Sequence, residues 1–206
     1  AYIIPASDFH ETEYVCEYFA CRKYMSGFTG SAGVLVVLLD KAALWTDGRY
    51  FIQAANQLEG SGIDLMRMGQ PGVPELDAYI VENLKENDTV GFDGCVMNTK
   101  DALAYKSVFD LAHLNMNVNL DLVNDVWTDR PELPSTPTFH YSEKFAGESM
   151  ESKLSRLRAF LRENKVDSIV LTSVDQIAWL YNLRAHDIPN FPVALAYSIV
   201  SLDSAS

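Results

Sequence analysis

The run Gly27-Phe28-Thr29-Gly30-Ser31-Ala32-Gly33, with the two apolar stretches that follow it, Val34 to Leu39 and Ala42 to Trp45, constrains the fold more than any other segment. Three glycines in seven positions suit a tight backbone path with positive φ angles. The two stretches are almost continuously apolar and are joined only by Asp40-Lys41, the pattern of strands in a sheet covered on both faces. Such a hairpin needs helices to cover it, and the sequence supplies one directly. Past the turn at Asp47-Gly48, Phe51, Ala54, Ala55 and Leu58 recur at i, i+3, i+4 and i+7, which is one face of an amphipathic helix.

The alternation continues on both sides. Tyr2 to Ile4 reads as a short strand closed by Pro5, and Asp8 stands where a cap would for a helix from Glu11 to about Cys21. Ile63 to Met68 reads as a strand, and Pro74 opens a helix with Leu76, Ile80 and Leu84 on one side. Val90 to Phe92 is a short strand. Thr99 caps a helix that turns Ala102, Tyr105, Phe109 and Ala112 inward, and Val118 to Leu122 returns as a strand. Strands alternating with helices in this way define an α/β fold class.

A first domain is expected over residues 1–130 and a linker over 131–141, where Pro131, Pro134 and Pro137 interrupt any apolar periodicity. Beyond it, over residues 142–206, Leu154, Leu157 and Leu161 give a helix face, and Ile169 to Leu171 is the next strand. Here the pattern repeats. Ser168-Ile169-Val170-Leu171-Thr172-Ser173-Val174-Asp175 matches Ala1-Tyr2-Ile3-Ile4-Pro5-Ala6-Ser7-Asp8, and Ala194 to Val200 mirrors Val34 to Leu39. The expectation is a second, incomplete copy of the first fold, with the first copy lacking the helix that precedes the opening strand of the second.

Lys and Arg total 16 against 28 Asp and Glu, a net charge of −12 that would repel phosphate backbones, so nucleic-acid binding is not expected. No stretch approaches the roughly 20 apolar residues of a membrane span, and neither a membrane partner nor a signal peptide is expected. Cys16, Cys21 and Cys95 are odd in number and lack C-x-x-C spacing, so they read as reduced, partly buried thiols of a cytoplasmic protein. His10, His113, His140 and His186 lack the spacing of metal ligands, and the glycine-rich run lacks the terminal Gly-Lys-Ser/Thr of a phosphate loop. Trp45 and Trp179 read as core-filling aromatics.

Ser26 to Gly33, Trp45-Thr46-Asp47-Gly48-Arg49-Tyr50-Phe51, and Asp175 to Arg184 with Asp187-Ile188-Pro189 and Asn190-Phe191-Pro192-Val193 together resemble the N-terminal half of the Xaa-Pro aminopeptidases, the three-domain members of the creatinase and prolidase superfamily. Ala185 stands where that family usually has glycine. The resemblance implies a creatinase N-terminal-like domain, with a mixed central sheet flanked by helices, followed by a truncated second copy. It further implies that no catalytic residue or metal ligand lies in this chain. Two divalent ions, Mn2+ or Zn2+, would be held by a further C-terminal domain of an enzyme that is a homodimer when full-length and releases an N-terminal residue preceding proline. Arg49 matches the family's arginine in the W-T-D-G-R-Y-F turn and is the expected substrate-binding residue, its fork of donors suited to a peptide carbonyl or carboxylate. The bland reading of Arg49 is an internal pair with Asp47. The rival reading of the whole chain is a non-catalytic creatinase-like module that binds protein or peptide segments.

Overall fold

A computed structural model describes residues 1–206, and these divide into two compact units, Ala1–Glu132 and Leu133–Ser206.

The first unit is built on a six-stranded sheet in the order β4-β3-β2-β1-β5-β6, comprising β1 (Tyr2–Pro5), β2 (Val34–Val37), β3 (Ala42–Thr46), β4 (Ile63–Arg67), β5 (Thr89–Gly91) and β6 (Asn115–Asn117). β2 runs antiparallel to β1 and β3, while β3–β4, β1–β5 and β5–β6 are parallel, so the sheet is mixed. Both faces are covered, as the apolar hairpin requires. On one face Ile3, Val36 and Trp45 pack with Leu76, Tyr79 and Ile80 of α3 (Leu76–Asn83) and Phe109 of α4 (Thr99–Leu111). On the other, Tyr2, Ile4, Leu35 and Leu44 meet Phe28, Ala54 and Leu58 of α2 (Phe51–Leu58), and Val123 of α5 (Leu122–Val126). Each large side chain buried completely in these layers, such as Ile3, Leu35 or Phe109, contributes about 1.5–3 kcal/mol.

Three local expectations are corrected. No helix begins at Glu11: Asp8 instead caps a turn, its Oδ1 accepting from the backbone N–H of His10 and of Thr12 at 2.9 and 3.0 Å, and helix α1 starts only at Cys21 (Cys21–Ser26), after a 3-10 turn at Glu17–Phe19. The cap of α4 is Asn98 rather than Thr99, because the Asn98 carboxamide oxygen accepts from the Asp101 N–H at 2.8 Å. The last strand is Asn115–Asn117, not Val118 to Leu122: its backbone pairs in register with Thr89–Gly91, and Asp121 then caps α5 through the Asn124 N–H.

In the second unit, α7 (Met150–Glu163) is capped by Ser149 and buries Leu154 and Leu161, and α6 (Glu143–Ala146) precedes it. β8 (Ser168–Leu171) pairs antiparallel with β10 (Ser198–Ser201), β7 (Phe139–His140) pairs with β9 (Leu183–Arg184), and α8 (Val174–Leu180) packs Ile177 and Leu180 against Leu154, Leu171 and Val200. The final strand is shorter than the expected Ala194 to Val200. The internal repeat is visible in the pairing: Tyr2 and Ile4 face Val37 and Leu35 as Ile169 and Leu171 face Val200 and Ser198. No helix is long and apolar enough to cross a membrane.

Candidate functional site

The glycine-rich loop and the Trp45–Phe51 turn form one connected structure. Helix α1 stops because Gly27 takes φ +73°, and its N–H bonds the Lys23 carbonyl at 2.8 Å. Ser26 Oγ accepts from the Phe28 N–H at 3.1 Å, which directs the fully buried Phe28 ring inward. Gly30 lies so close to Phe28 and Tyr50 that a Cβ there would run into the Phe28 ring and come within 2.8 Å of Tyr50 Cδ1. Two cross-links complete the structure: Thr46 Oγ1 donates to the Ala32 carbonyl at 2.7 Å, and the Ser31 and Tyr50 hydroxyls meet at 2.8 Å. The bond to Ser31 holds the Tyr50 phenol below its usual range.

Arg22 fastens the loop from beneath. Its guanidinium donates to the Gly30 and Gly33 carbonyls and lies 4.8 Å from the centroid of the Phe28 ring. Burial draws its proton affinity down, to about 10. Sequence reasoning missed this residue, since an arginine inside a short helix carries no sign of partners 8 and 11 positions away.

Arg49 sits on the exposed turn. Its backbone N–H and Nε donate to Asp47 Oδ1 at 3.0 and 2.9 Å, and Nη2 to Oδ2 at 2.8 Å. These bonds hold the Asp47 carboxyl below the usual carboxylate range and strengthen the hold of Arg49 on its proton. The side chains remain 66% and 37% exposed, so water screens the pair and its value to stability is small. The pair uses two side-chain N–H groups of the five in a guanidinium. The turn therefore presents a charged arginine, held in one orientation by Asp47 with its ring neighbour Tyr50 at 5.2 Å, and with donors to spare.

In the second unit the motif residues do structural work. Asp187, 7% exposed, accepts from the Thr136 hydroxyl at 2.6 Å and the Leu195 N–H at 2.9 Å. Ala185, where glycine is usual, is completely buried. Asn182, in the left-handed region at φ +49°, follows α8 and with the Trp179 carbonyl receives the buried Lys153 ammonium, at 2.6 and 2.7 Å. Trp45 fills the core as expected, but Trp179 does not: it is 51% exposed, with the Lys153 ammonium 4.5 Å from its ring centroid. α8 turns Ile177, Ala178 and Leu180 inward instead, which leaves the Trp179 position on the outer side. Of the thiols, Cys16 is buried and Cys21 half-buried as read, whereas Cys95 is exposed in a 3-10 turn.

No group of three or more His, Cys, Asp and Glu, with His10, His113, His140 and His186 among the candidates, stands close enough together to hold a metal ion. The residues of this chain do not fit a two-metal centre. Fold and site together define an α/β scaffold domain that offers an arginine-bearing turn. The creatinase/prolidase N-terminal domain pattern matches residues 14–119 and, in a second form, residues 129–206, and the chain belongs to this family. It is 44% identical to Aminopeptidase P2 of Arabidopsis thaliana, over 100% of this chain and 29% of that protein. It is 39% identical to a probable Xaa-Pro aminopeptidase P of Pyricularia oryzae, over 100% of this chain and 34% of that one. Among solved structures, the X-prolyl aminopeptidase of Caenorhabditis elegans, described as a cytosolic enzyme with a di-nuclear active site, superimposes with a TM-score of 0.89 at 35% identity, over 99% of this chain and 33% of that one. The chain thus spans 29 to 34% of the length of these relatives.

Proposed function

We propose that this chain is the N-terminal, non-catalytic portion of a metal-dependent Xaa-Pro aminopeptidase, which releases an N-terminal residue preceding proline. The observation that carries this reading is the similarity over 99 to 100% of the chain to aminopeptidases about three times its length, one of them described as having a di-nuclear active site. The divalent ions, Mn2+ or Zn2+, are assigned to the remainder of the polypeptide, where they would supply Lewis-acid chemistry. Residues 1–130 are taken as a first domain, 131–141 as the linker, and 142–206 as the opening of a second. These parts shape the approach of the peptide and support a homodimer of the full-length protein in the cytoplasm. Arg49 is assigned to the substrate: clamped by Asp47 at 2.8 Å and exposed, it presents its remaining donors to a peptide carbonyl or carboxylate.

The test is release of the first residue from an Xaa-Pro-Pro peptide with Mn2+ or Zn2+ present. Residues 1–206 alone are expected to give no turnover, and the chain joined to its natural continuation to give metal-dependent turnover that Arg49→Ala reduces. Turnover by residues 1–206 alone overturns the reading. Inactivity of the longer protein favours the peptide-binding module instead.

A further inference from the structure

The glycine-rich loop converges on one residue of the Trp45–Phe51 turn, Tyr50. The Ser31 hydroxyl meets the Tyr50 hydroxyl at 2.8 Å, the Phe28 ring stands edge-on to the Tyr50 ring with centroids 5.9 Å apart, and Gly30 lacks the Cβ that would come within 2.8 Å of Tyr50 Cδ1. The loop is braced in turn. Arg22 donates to the Gly30 and Gly33 carbonyls, the Thr29 N–H donates to Gln57 Oε1 of α2 at 3.0 Å, and the Gln53 carboxamide donates to the Thr29 hydroxyl at 2.9 Å. Fixed from all these directions, the Tyr50 side chain is nonetheless only half-buried, and beside it stands the charge assigned to the substrate. The Arg49 guanidinium carbon lies over the Tyr50 ring, 5.2 Å from its centroid, within reach of cation–π attraction.

We propose that Tyr50 is a positioning residue for Arg49, and that the glycine-rich loop, through Tyr50, fixes the guanidinium that meets the peptide. The Asp47 clamp does not achieve this alone. Asp47 and Arg49 are two residues apart on one exposed turn, so their bonds fix the guanidinium only relative to that turn. Two parallel bonds also define an axis about which the guanidinium plane still tilts, and the Tyr50 ring supplies the third point of support. Tyr50 is in turn joined to Ser31, 19 residues earlier in the chain, and so refers the guanidinium to the body of the first unit. An arginine already held in one geometry gives up less side-chain freedom when it binds. This inference rests on the assignment of Arg49 to the substrate and gives the glycine-rich loop a part in the same site, at one remove from the peptide.

The test has two arms. In residues 1–206, exchange of the Arg49 Nε–H with solvent is followed by 1H–15N NMR. Tyr50→Leu, which removes the ring, is expected to speed that exchange about two- to fivefold, the factor that an exposed cation–π contact is worth, and Ser31→Ala, which keeps the ring and frees its hydroxyl, to speed it in the same direction. In the chain joined to its natural continuation, Tyr50→Leu is expected to raise KM for an Xaa-Pro-Pro peptide by about the same factor with kcat less affected, and Tyr50→Phe, which keeps the ring, to recover most of the loss. Unchanged exchange in a folded Tyr50→Leu protein overturns the proposal, and should that variant fail to fold, unchanged exchange in Ser31→Ala does so. Faster exchange with KM unmoved overturns it too, since the ring would then steady Arg49 to no effect on the peptide. Absence of turnover by the longer protein counts instead against the aminopeptidase reading, and exchange alone then decides whether Tyr50 positions Arg49.

Discussion

At Gly30 the absence of a side chain is a packing requirement. Phe28 is fully buried and cannot withdraw from an added Cβ, and Tyr50 is held by the Ser31 hydroxyl. Gly30→Ala is expected to destabilise the protein by about 1–3 kcal/mol, the usual cost of overpacking. Gly48→Ala, where the nearest atom would be Phe51 Cε2 at 3.8 Å, should change stability by no more than about 0.5 kcal/mol. Urea denaturation of the two variants checks this. Cys21 makes a second residue-scale prediction. Burial pushes its thiol from 9.0 up to about 11, so the folded state keeps the proton after the unfolded state has lost it. The stabilisation is complete below pH 9 and falls away as pH rises through 11. A Cys21→Ala protein should lose part of the alkaline decline in Tm, and an unchanged slope would show that the thiol is not the source. The glycines and the Trp-Thr-Asp-Gly-Arg turn were legible as residues because each has a local meaning. Arg22 and Lys153 were not, since their oxygen partners lie 8 and 11, and 26 and 29, positions further along the chain and nothing in the local sequence announces the pairing.

Elements were legible where periodicity was strong. Helices α2, α4 and α7 and the β2–β3 hairpin lie where apolar spacing puts them. Boundaries failed where two polar residues competed for one role. Asn98 and Thr99 both suit a cap, and only the fold decides, with Asn98 accepting the Asp101 N–H at 2.8 Å. Asn98→Ala is therefore expected to cost about 1 kcal/mol, and Thr99→Ala appreciably less, in the same denaturation measurement. Equal costs would return the cap to Thr99. Asp8 failed for a related reason. A buried carboxylate that satisfies the N–H groups of His10 and Thr12 looks in sequence like the start of a helix, but no apolar face follows that would reward one. At Trp179 the error was of a different kind: a large aromatic in an apolar helix was assigned to the core, whereas the smaller Val174, Ile177, Ala178 and Leu180 are the buried residues of that helix.

For the whole molecule, the two covered faces of the sheet followed from near-continuous apolar strands, its mixed pairing was implied by the family resemblance, and the second unit shows the repeat in its strand pairing. The two copies differ in cover. Ile3 and Val36 are fully buried, while the corresponding Val170 and Ile199 are 60% and 51% exposed, because no helix in the second unit occupies the place that α3 and α4 take in the first. What the sequence could not display is the candidate site's chemistry, since the arginine turn is complete here and the reacting groups assigned to the enzyme are not. The central claim is that these 206 residues are scaffold and cleft wall without a hydrolytic centre. Equilibrium dialysis of residues 1–206 against Mn2+ and Zn2+ tests it most directly. The account predicts no stoichiometric binding of either ion, and two tightly held cations per chain would contradict it.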